Sequence, residues 1–396
     1  MGRVNISLAN GQLGGTIQTN DGIAGIVMTG VSESGGYTAG VPILVTSMAD
    51  VVVAGITTGN NPFAIKQLQE FYNQAGTGAQ LYVMLMPPTV TVAQMASISA
   101  PASAKTLLDF AGGKIKVLGL LSDDAAIVTA GGTVTLLNGM NQDVQTAVTN
   151  IEVMAQAYFQ AQTPFRAVIG GSSYQGVPSS LPDETDGTTS NRTAILIGDT
   201  DITYTSKSAC VGLLLGTISS IPVHRKISRV RTGPLKIPAA YVSDTTVEEA
   251  GSSLSLIAQK GFITFKTYPN VSGYFFSGDP MCTATTDDYS MLARGRVMDK
   301  VHILAYTTFV QEVDDEMPVN TDGTLDAGFC KWLEQQIVNQ VNNTMTANKE
   351  ISSISCFIDP VQNILSTNQL NVVLKIVPVG YATNFEITLG FNNPAQ

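Results

Sequence analysis

Charged residues and histidines are both scarce in this chain. Only 13% of the 396 residues are charged, about half the usual share for a globular protein. The two histidines, His224 and His302, lie far apart, and a lone histidine is more often structural than a general base. The net charge of −10 argues against nucleic-acid binding as the main role. A sparsely charged, polar surface suits a subunit of a dense assembly, although it also suits a secreted enzyme.

Paired cysteines and long apolar runs are also absent. Cys210, Cys282, Cys330 and Cys356 form no C-x-x-C pair. They therefore predict small buried residues in a reducing compartment, and not a disulfide framework or a zinc site. The longest apolar run, 209–223, is interrupted by glycines, serines and a proline, and a transmembrane helix needs roughly 18 residues. No secretory signal opens the chain. We expect a soluble chain made in the cytoplasm, without membrane insertion.

The sequence contains no complete catalytic, cofactor or metal motif. Residues 112–114 (GGK) lack the Ser or Thr of a phosphate loop. Residues 171–175 (GSSYQ) have glutamine where a nucleophile elbow needs glycine. Residues 320–323 (NTDG) begin like a calcium loop, but the glycine comes too early. Aspartate pairs such as 123–124 lie at turns or helix starts, where carboxylates cap backbone amides. We expect no enzyme, no cofactor and no metal.

Both ends of the chain show alternating apolar residues. These are Val4, Ile6 and Leu8 at the start and Phe385, Ile387 and Leu389 at the end. Alternation with a period of two indicates a strand with one buried face. A glycine-rich tether follows the first pattern, and an isolated strand is not stable alone. Two interpretations remain open: the ends are arms that add strands to other subunits, or each end pairs within its own chain.

Strands and helices alternate between residues 21 and 200. The pattern predicts strands near 23–29, 81–86, 114–121 and 165–169. It predicts helices at 61–75, at 91–110 with a break near Pro101, and at 142–162. This order predicts a layered α/β domain with a mainly parallel sheet. Further helices are predicted at 208–219, 246–259, 287–309 and 326–347, followed by strands at 354–358 and 370–377.

A basic segment stands out in this acidic chain. Its cations include Arg225, Lys226, Arg229 and Arg231, with apolar residues between them in a strand-like pattern. One interpretation is a patch that contacts acidic neighbouring subunits. The other is a solvated strand edge that is protected by charge.

Several segments carry a resemblance to a known family. Residues 61–86 resemble the helix, turn and strand near the front of contractile tail sheath proteins. Residues 261–300 contain GFITFKTYPNVSGYFFSGD and RGRVMDK, which are similar to the aromatic-rich strand and the Arg-Val-x-Asp-Lys-like helix of that family. The closing stretch, 354–391, is also similar. The resemblance covers nearly the whole chain and is weakest at residues 90–250.

The resemblance implies a structural sheath subunit that stacks as six-fold rings around an inner tube. Contraction of such a sheath drives the tube through a target envelope, as in genome ejection by a bacteriophage. A phage tail, an extracellular injection device and a type VI-like secretion system all remain open. The implied partners are further copies of the chain, the inner tube protein, and baseplate and tail terminator proteins. Assembly would take place in the bacterial host cytoplasm, and the product would be a virion tail or an injection particle.

The implied fold is α/β and α+β with several domains. An N-terminal arm and linker (1–20) precede an outer α/β region (21–272) with a break near 171–205. A tube-proximal α+β sheath domain (273–383) and a C-terminal arm (384–396) follow, and the two arms exchange strands with neighbouring subunits.

Within this fold, the helix at 326–347 offers a face rich in Gln and Asn. Lys331, Trp332 and Lys349 lie on it or just beyond it, where they could contact the tube. An ordinary amphipathic core helix is the alternative. Two other functions are weighed for the whole chain: an α/β hydrolase-type enzyme, and another tail protein such as a tube or baseplate subunit.

Overall fold

The structure is a computed structural model that describes residues 20–187, 190–204 and 207–391. Its two compact units divide between Val310 and Gln311. No helix among the described residues is long and apolar enough to cross a membrane.

The secondary structure of the first unit alternates between strands and helices for most of its length. The strands are β1 (Ala24–Thr29), β2 (Ile43–Val45), β3 (Leu81–Met86), β4 (Val117–Leu121), β5 (Leu136–Leu137), β6 (Met140–Asn141), β7 (Arg166–Gly170), β8 (Thr193–Leu196), β9 (Tyr241–Val242), β10 (Thr245–Thr246), β11 (Phe265–Tyr268) and β12 (Val271–Phe276). The helices are α1 (Met48–Val53), α2 (Pro62–Ala75), α3 (Val92–Met95), α4 (Lys105–Ala111), α5 (Asp124–Thr129), α6 (Gln142–Gln160), α7 (Val211–Ser219), α8 (Val247–Ala250), α9 (Ser252–Gln259) and α10 (Leu292–Phe309). The predicted mixed α/β content is confirmed.

A six-stranded sheet forms the core of the first unit. Its order is β2-β3-β1-β4-β7-β8. β2 is antiparallel to β3, and the other neighbouring strands are parallel. The parallel strands are buried along their whole lengths, which explains why their sequences are continuously apolar and do not alternate.

Helices cover both faces of this sheet. Gly25 of β1 is level with Leu118 of β4, so Gly25 and Gly119 point to opposite faces. A Cβ added to Gly25 would lie 3.2 Å from Leu107 of α4. A Cβ added to Gly119 would lie 2.7 Å from Leu215 of α7. Helices α4 and α7 therefore pack on opposite faces of the mainly parallel sheet.

Glycines also set the contact between α2 and α7. A Cβ on Gly212 would lie 2.0 Å from the carbonyl oxygen of Gln67, and one on Gly216 would lie 2.6 Å from that of Phe71. The Gln67 side chain donates to the Ala209 carbonyl at 2.9 Å and accepts from the Gly212 amide at 2.8 Å. The two helices are therefore in backbone contact, which no larger residue at these positions would allow.

Some predicted helices are shorter or interrupted. The break predicted near Pro101 is present, since the stretch 91–110 divides into α3 and α4 with Pro101 in the irregular segment between them. The stretch 246–259 divides into α8 and α9 at Gly251, whose φ of +44° is incompatible with an α-helix. The helix predicted at 287–309 begins only at Leu292, because Asp287 caps a preceding turn by accepting from the Tyr289 amide at 2.7 Å.

The second unit pairs a helix with a hairpin. Helix α11 (Ala327–Val341) continues into a π-helical turn (Asn342–Thr346). Strand β13 (Ile351–Ile358), the short helix α12 (Ile364–Thr367) and strand β14 (Val372–Pro378) follow. β13 and β14 are antiparallel, with Cys356 opposite Leu374. Residues 379–391 contain no strand. The predicted domain boundaries at 20, 272 and 383 remain predictions.

Candidate assembly surfaces

The hairpin of the second unit has two open edges. Within the described residues, β13 and β14 pair only with each other. A two-stranded sheet is marginally stable on its own, and an unpaired edge presents backbone N–H and C=O groups to any further strand. The hairpin can therefore accept a strand at either edge.

One face of this hairpin packs against helix α11, and the other face carries exposed apolar side chains. Cys330 and Leu333 of α11 are buried against Ile358 and the partly buried Cys356 and Val372. On the opposite face, the apolar side chains remain about half exposed; these are Phe357 (54%), Val373 (47%) and Val377 (54%). A surface of this kind is typical of a contact site.

Helix α11 is fixed to the hairpin by a carboxylate. Glu334 accepts from the Ile358 amide at 2.9 Å and pairs with Lys331 at 2.7 Å. Burial opposes the ionisation of Glu334, but the hydrogen bonds from Lys331 and Ile358 outweigh it and lower its pKa. Lys331 therefore has a structural partner, which sequence reasoning did not predict.

The other two residues predicted to contact the tube are exposed. Trp332 is 46% exposed and stacks on Phe329, with 5.4 Å between ring centroids. Lys349 is exposed and has a φ of +59°. Their role at a tube remains a prediction.

The C-terminal segment extends into solvent. Its alternating apolar side chains are almost fully exposed: Phe385 (80%), Ile387 (77%) and Leu389 (89%). The described part of this end makes no strand within its own chain, so the interpretation of pairing within the chain fails for residues 384–391. Val4, Ile6 and Leu8 lie outside the described residues.

The basic segment is a series of turns and not a strand. It contains a 3-10 turn at Val230–Thr232 and no strand between residues 221 and 240, so the prediction of a strand edge is wrong. The apolar residues that suggested a strand have separate roles, since Ile227 and Leu235 are buried and Val230 is exposed. Lys226 is tied to the buried Asp279 at 3.2 Å.

The RGRVMDK motif anchors helix α10 to the sheet of the first unit. Arg166, at the start of β7, donates to both carboxylate oxygens of Asp299 at 2.8 and 3.2 Å. Arg192, just before β8, pairs with the same carboxylate at 3.2 Å. Buried ion pairs of this kind are costly to break, because the remaining charge loses its partner. Asp299 therefore joins two neighbouring strands to one helix.

Two further charges of the motif, Arg296 and Lys300, bind the loop ahead of β1 and the end of α7. Arg296 donates to the carbonyl oxygens of Asp21, Ile218 and Ile221 at 3.3 to 3.4 Å. Lys300 pairs with the Asp21 carboxylate at 2.6 Å. The resemblance pointed to this motif, but sequence reasoning assigned no role to its residues, whose partners lie at least 75 positions away.

A second buried charge cluster lies between α2 and the end of β8. Lys66 lies 2.9 Å from Glu70 and 2.6 Å from Asp199, which is fully buried. Burial raises the pKa of both carboxyl groups, although Lys66 opposes this effect. Because one ammonium group neutralises only one of the two buried carboxylates, the two carboxyl groups together favour keeping one proton.

Polar residues at the carboxyl ends of the strands bind one another. In doubly wound sheets this edge is the usual place for ligands. Here Asp124 accepts hydrogen bonds from Ser122 (2.8 Å), Asn141 (3.0 Å) and Ser173 (2.6 Å). These three hydrogen bonds hold the Asp124 carboxylate in one orientation.

Both histidines are partly buried. His302 contacts Gln162 at 2.6 Å, and its ring lies 4.3 Å from that of Phe159. Burial and the nearby Arg225 lower the pKa of His224.

Cys210, Cys282 and Cys330 are buried thiols, and Cys356 is half-buried. No group of potential metal ligands occurs among the described residues.

The fold is that of contractile sheath proteins, and it covers nearly the full length of the chain. A chain in the six-fold symmetrised baseplate of the anti-feeding prophage has a TM-score of 0.63 at 13% identity, covering 99% of both chains. A chain of the contracted anti-feeding prophage sheath also has a TM-score of 0.63 at 13% identity, covering 98% of this chain and 99% of that chain. A chain of the contracted sheath complex of PVC, an extracellular contractile injection system, has a TM-score of 0.54 at 11% identity. The match covers 100% of this chain and 99% of that chain.

The chain belongs to the DUF2586 family. The model of the family's N-terminal domain matches residues 1–279, and that of its C-terminal domain matches residues 288–396. No curated protein matches the sequence. The resemblance to contractile tail sheath proteins is confirmed by the fold.

Proposed function

We propose that this chain is the structural subunit of a contractile sheath. It polymerises as stacked six-fold rings around an inner tube and contracts to drive that tube through a target envelope. The observation that carries the proposal is the likeness in fold along 98% or more of the chain to sheath and baseplate subunits. One of these assemblies is six-fold symmetrised and two are contracted.

Neighbouring subunits are linked by strand addition in this proposal. The open edges of the hairpin β13–β14 receive the arms of other copies, including the C-terminal segment with Phe385, Ile387 and Leu389. Exposed, alternating apolar residues on one segment and unpaired backbone groups on the other support this linkage. Each added strand contributes little by itself, but two arms per subunit in a closed lattice act as a multivalent network.

Contraction is then a rigid-body rearrangement of subunits whose strand linkages are preserved. The anchored helix α10 and the closely packed sheet favour movement of the first unit as one piece, because Arg166, Arg192 and Asp299 tie its elements together. The glycine-rich segment after residue 10 lies outside the described residues, and from its sequence we expect it to serve as the tether of the arm during this movement.

The partners in this proposal are copies of the chain, the inner tube, the baseplate and a tail terminator. Lys331, Trp332 and Lys349 contact the tube, and the basic segment contacts neighbouring subunits. Assembly takes place in the bacterial cytoplasm, and the product is a tail or an injection particle. The role is structural and not enzymatic, which agrees with the sheath and baseplate proteins that share the fold.

Deletion of residues 1–9 tests the role of the N-terminal arm. We expect a folded monomer that forms no sheaths, because the arm links subunits and is not part of the core. Negative-stain electron microscopy would show tubes for the wild-type chain and discrete particles for the truncation, and circular dichroism would confirm folding.

A matched pair of variants distinguishes the effect of the apolar side chains of the arm from the effect of the arm as a whole. Val4→Ser, Ile6→Ser and Leu8→Ser together should prevent sheath formation, whereas Asn5→Ala with Ser7→Ala should leave it intact. Sheaths of normal length from the truncated chain would contradict the arm mechanism. Discrete particles from the wild-type chain together with its tube protein would contradict the proposed function itself.

A further inference from the structure

Three arginines of the basic segment, Arg225, Arg229 and Arg231, lack counterions in the described part of the chain. Among the described residues, no carboxylate forms an ion pair with Arg225, Arg229 or Arg231. Partial burial and the like charge of Arg229 lower the pKa of Arg225. Three like charges within seven residues repel one another, and a partner of opposite charge relieves that repulsion. The chain as a whole carries a net charge of −10, so this segment is the exception on an acidic protein.

The segment is held in a fixed position. Lys226 pairs with Asp279 at 3.2 Å, and Asp279 also accepts from the Ala293 amide at the start of α10 at 3.1 Å. Ile227 is buried, and the Leu235 amide donates to the Tyr274 carbonyl of β12 at 2.8 Å. The arginines are therefore presented by an ordered base, which reduces the entropy lost on binding.

A pocket of about 230 Å³ lies beside this segment. Lys226 and Asp279 line one part of it, and Phe262, Met281 and Met291 provide apolar lining. The pocket can therefore accept an apolar side chain that is flanked by negative charges.

A segment with those features occurs at the start of the second unit. Residues 312–316 carry four carboxylates in five positions, interrupted only by Val313. The Val313 side chain is 66% exposed. A turn in which the Asp315 amide donates to the Glu312 carbonyl at 3.3 Å, together with a φ of +64° at Asp314, presents the segment outward.

We propose that the basic segment of one copy, with its adjacent pocket, binds residues 312–316 of a second copy. Arg225, Arg229 and Arg231 face the carboxylates, and Val313 enters the pocket. The inference rests on the proposed function, because a sheath brings many copies of both segments together. Charge complementarity selects this occupant, since the segment combines a dense negative charge with an exposed apolar side chain.

Cross-linking between two different chains tests the pairing directly. One full-length chain carries Arg231→Cys, the other carries Asp315→Cys, and the two are mixed before assembly with the tube protein. We expect a disulfide-linked heterodimer under mild oxidation. A control mixture in which Lys114→Cys replaces Arg231→Cys, at another exposed site of the first unit, should yield none.

Charge reversal tests how much the pairing of the basic segment with residues 312–316 contributes to the association of copies. Arg231→Glu should weaken the association of copies about fivefold or more at low salt, and adding Asp315→Arg should restore it to within about twofold. Lys114→Glu, with the same change in net charge, should have no such effect. Association is measured by light scattering of the assembling chains over a concentration series.

The outcomes separate the two proposals. Sheaths that form normally with Arg231→Glu and give no cross-link would overturn the pairing and leave the sheath function standing. The pairing would also be overturned if a chain with both Arg231→Cys and Asp315→Cys formed the disulfide within itself while the mixed single variants gave no heterodimer. A wild-type chain that stays monomeric beside its tube protein would overturn both.

Discussion

At the scale of single residues, Gly295 shows how tightly α10 is fitted to the sheet. A Cβ at this position would lie 2.4 Å from Cζ of the Arg166 side chain. Arg166 cannot retreat, because it is fully buried and bound to Asp299 and to the Gly295 carbonyl at 3.2 Å. Glycine is needed here for space and not for an unusual backbone conformation.

Gly295→Ala should destabilise the first unit. Overpacking of a well-packed site costs roughly 1–3 kcal/mol, which exceeds the gain of up to about 1 kcal/mol from better helix propensity. The measurement is the free energy of unfolding in urea. Gly278→Ala is the matched control, since the nearest atom to its added Cβ lies 3.5 Å away. A Gly295→Ala protein as stable as the wild type would show that the arginine can move aside.

At the scale of elements, the hairpin of the second unit depends on α11 for one face only. Glu334 joins the helix to the strand through the Ile358 amide, and Lys331 pairs with Glu334 on the same helix. A change at Lys331 therefore also removes the partner of the carboxylate that makes this contact. A test of tube contact therefore belongs at Lys349, whose side chain is exposed.

Lys349→Glu should weaken co-assembly with the tube protein. A single exposed ion pair contributes up to about 1 kcal/mol, or roughly a fivefold change in affinity. Co-sedimentation of sheath with tube at low salt measures the effect, and the control is Lys114→Glu in the first unit. Unchanged co-sedimentation would exclude Lys349 from the tube interface.

At the scale of the whole molecule, buried charge makes stability depend on pH. The folded state raises the pKa of Glu70 above its usual value of 4.5, through burial first and the nearby Asp199 as well, against the effect of Lys66. A raised pKa means that the folded state binds a proton more tightly than the unfolded state. Stability from this group is therefore full below about pH 4.5 and is lost as pH rises through the raised pKa.

Glu70→Gln should remove this loss of stability. For one proton, the free energy of unfolding of the wild type falls by at most about 1.4 kcal/mol per pH unit across that range. The variant should show a smaller slope, because the carboxamide does not titrate. Unfolding in urea at a series of pH values is the measurement, and Asp244→Asn, an exposed site, serves as the control. Equal slopes for Glu70→Gln and the wild type would show that Glu70 is not the group responsible.

Much of the α/β core could be predicted from local pattern. β3 and α2 lie where their apolar patterns and flanking prolines and glycines predict them. The basic segment shows the opposite case. Its alternating residues resemble a strand, but Ile227 and Leu235 are buried by different neighbours and Val230 is not buried at all. Alternation predicts a strand only where the same sheet buries every second residue.

Residues close together in the chain are enough to predict the alternation of the main strands and helices, the lack of catalytic motifs and the apolar alternation of the C-terminal segment. The folded chain was needed to show that Arg166, Arg192 and Asp299 form one buried cluster, that Gly295 must be small, and that β13 and β14 leave open edges within the described residues. Those features join residues that are distant in sequence. Burial and charge pairing act through space, and spacing along the chain does not encode them.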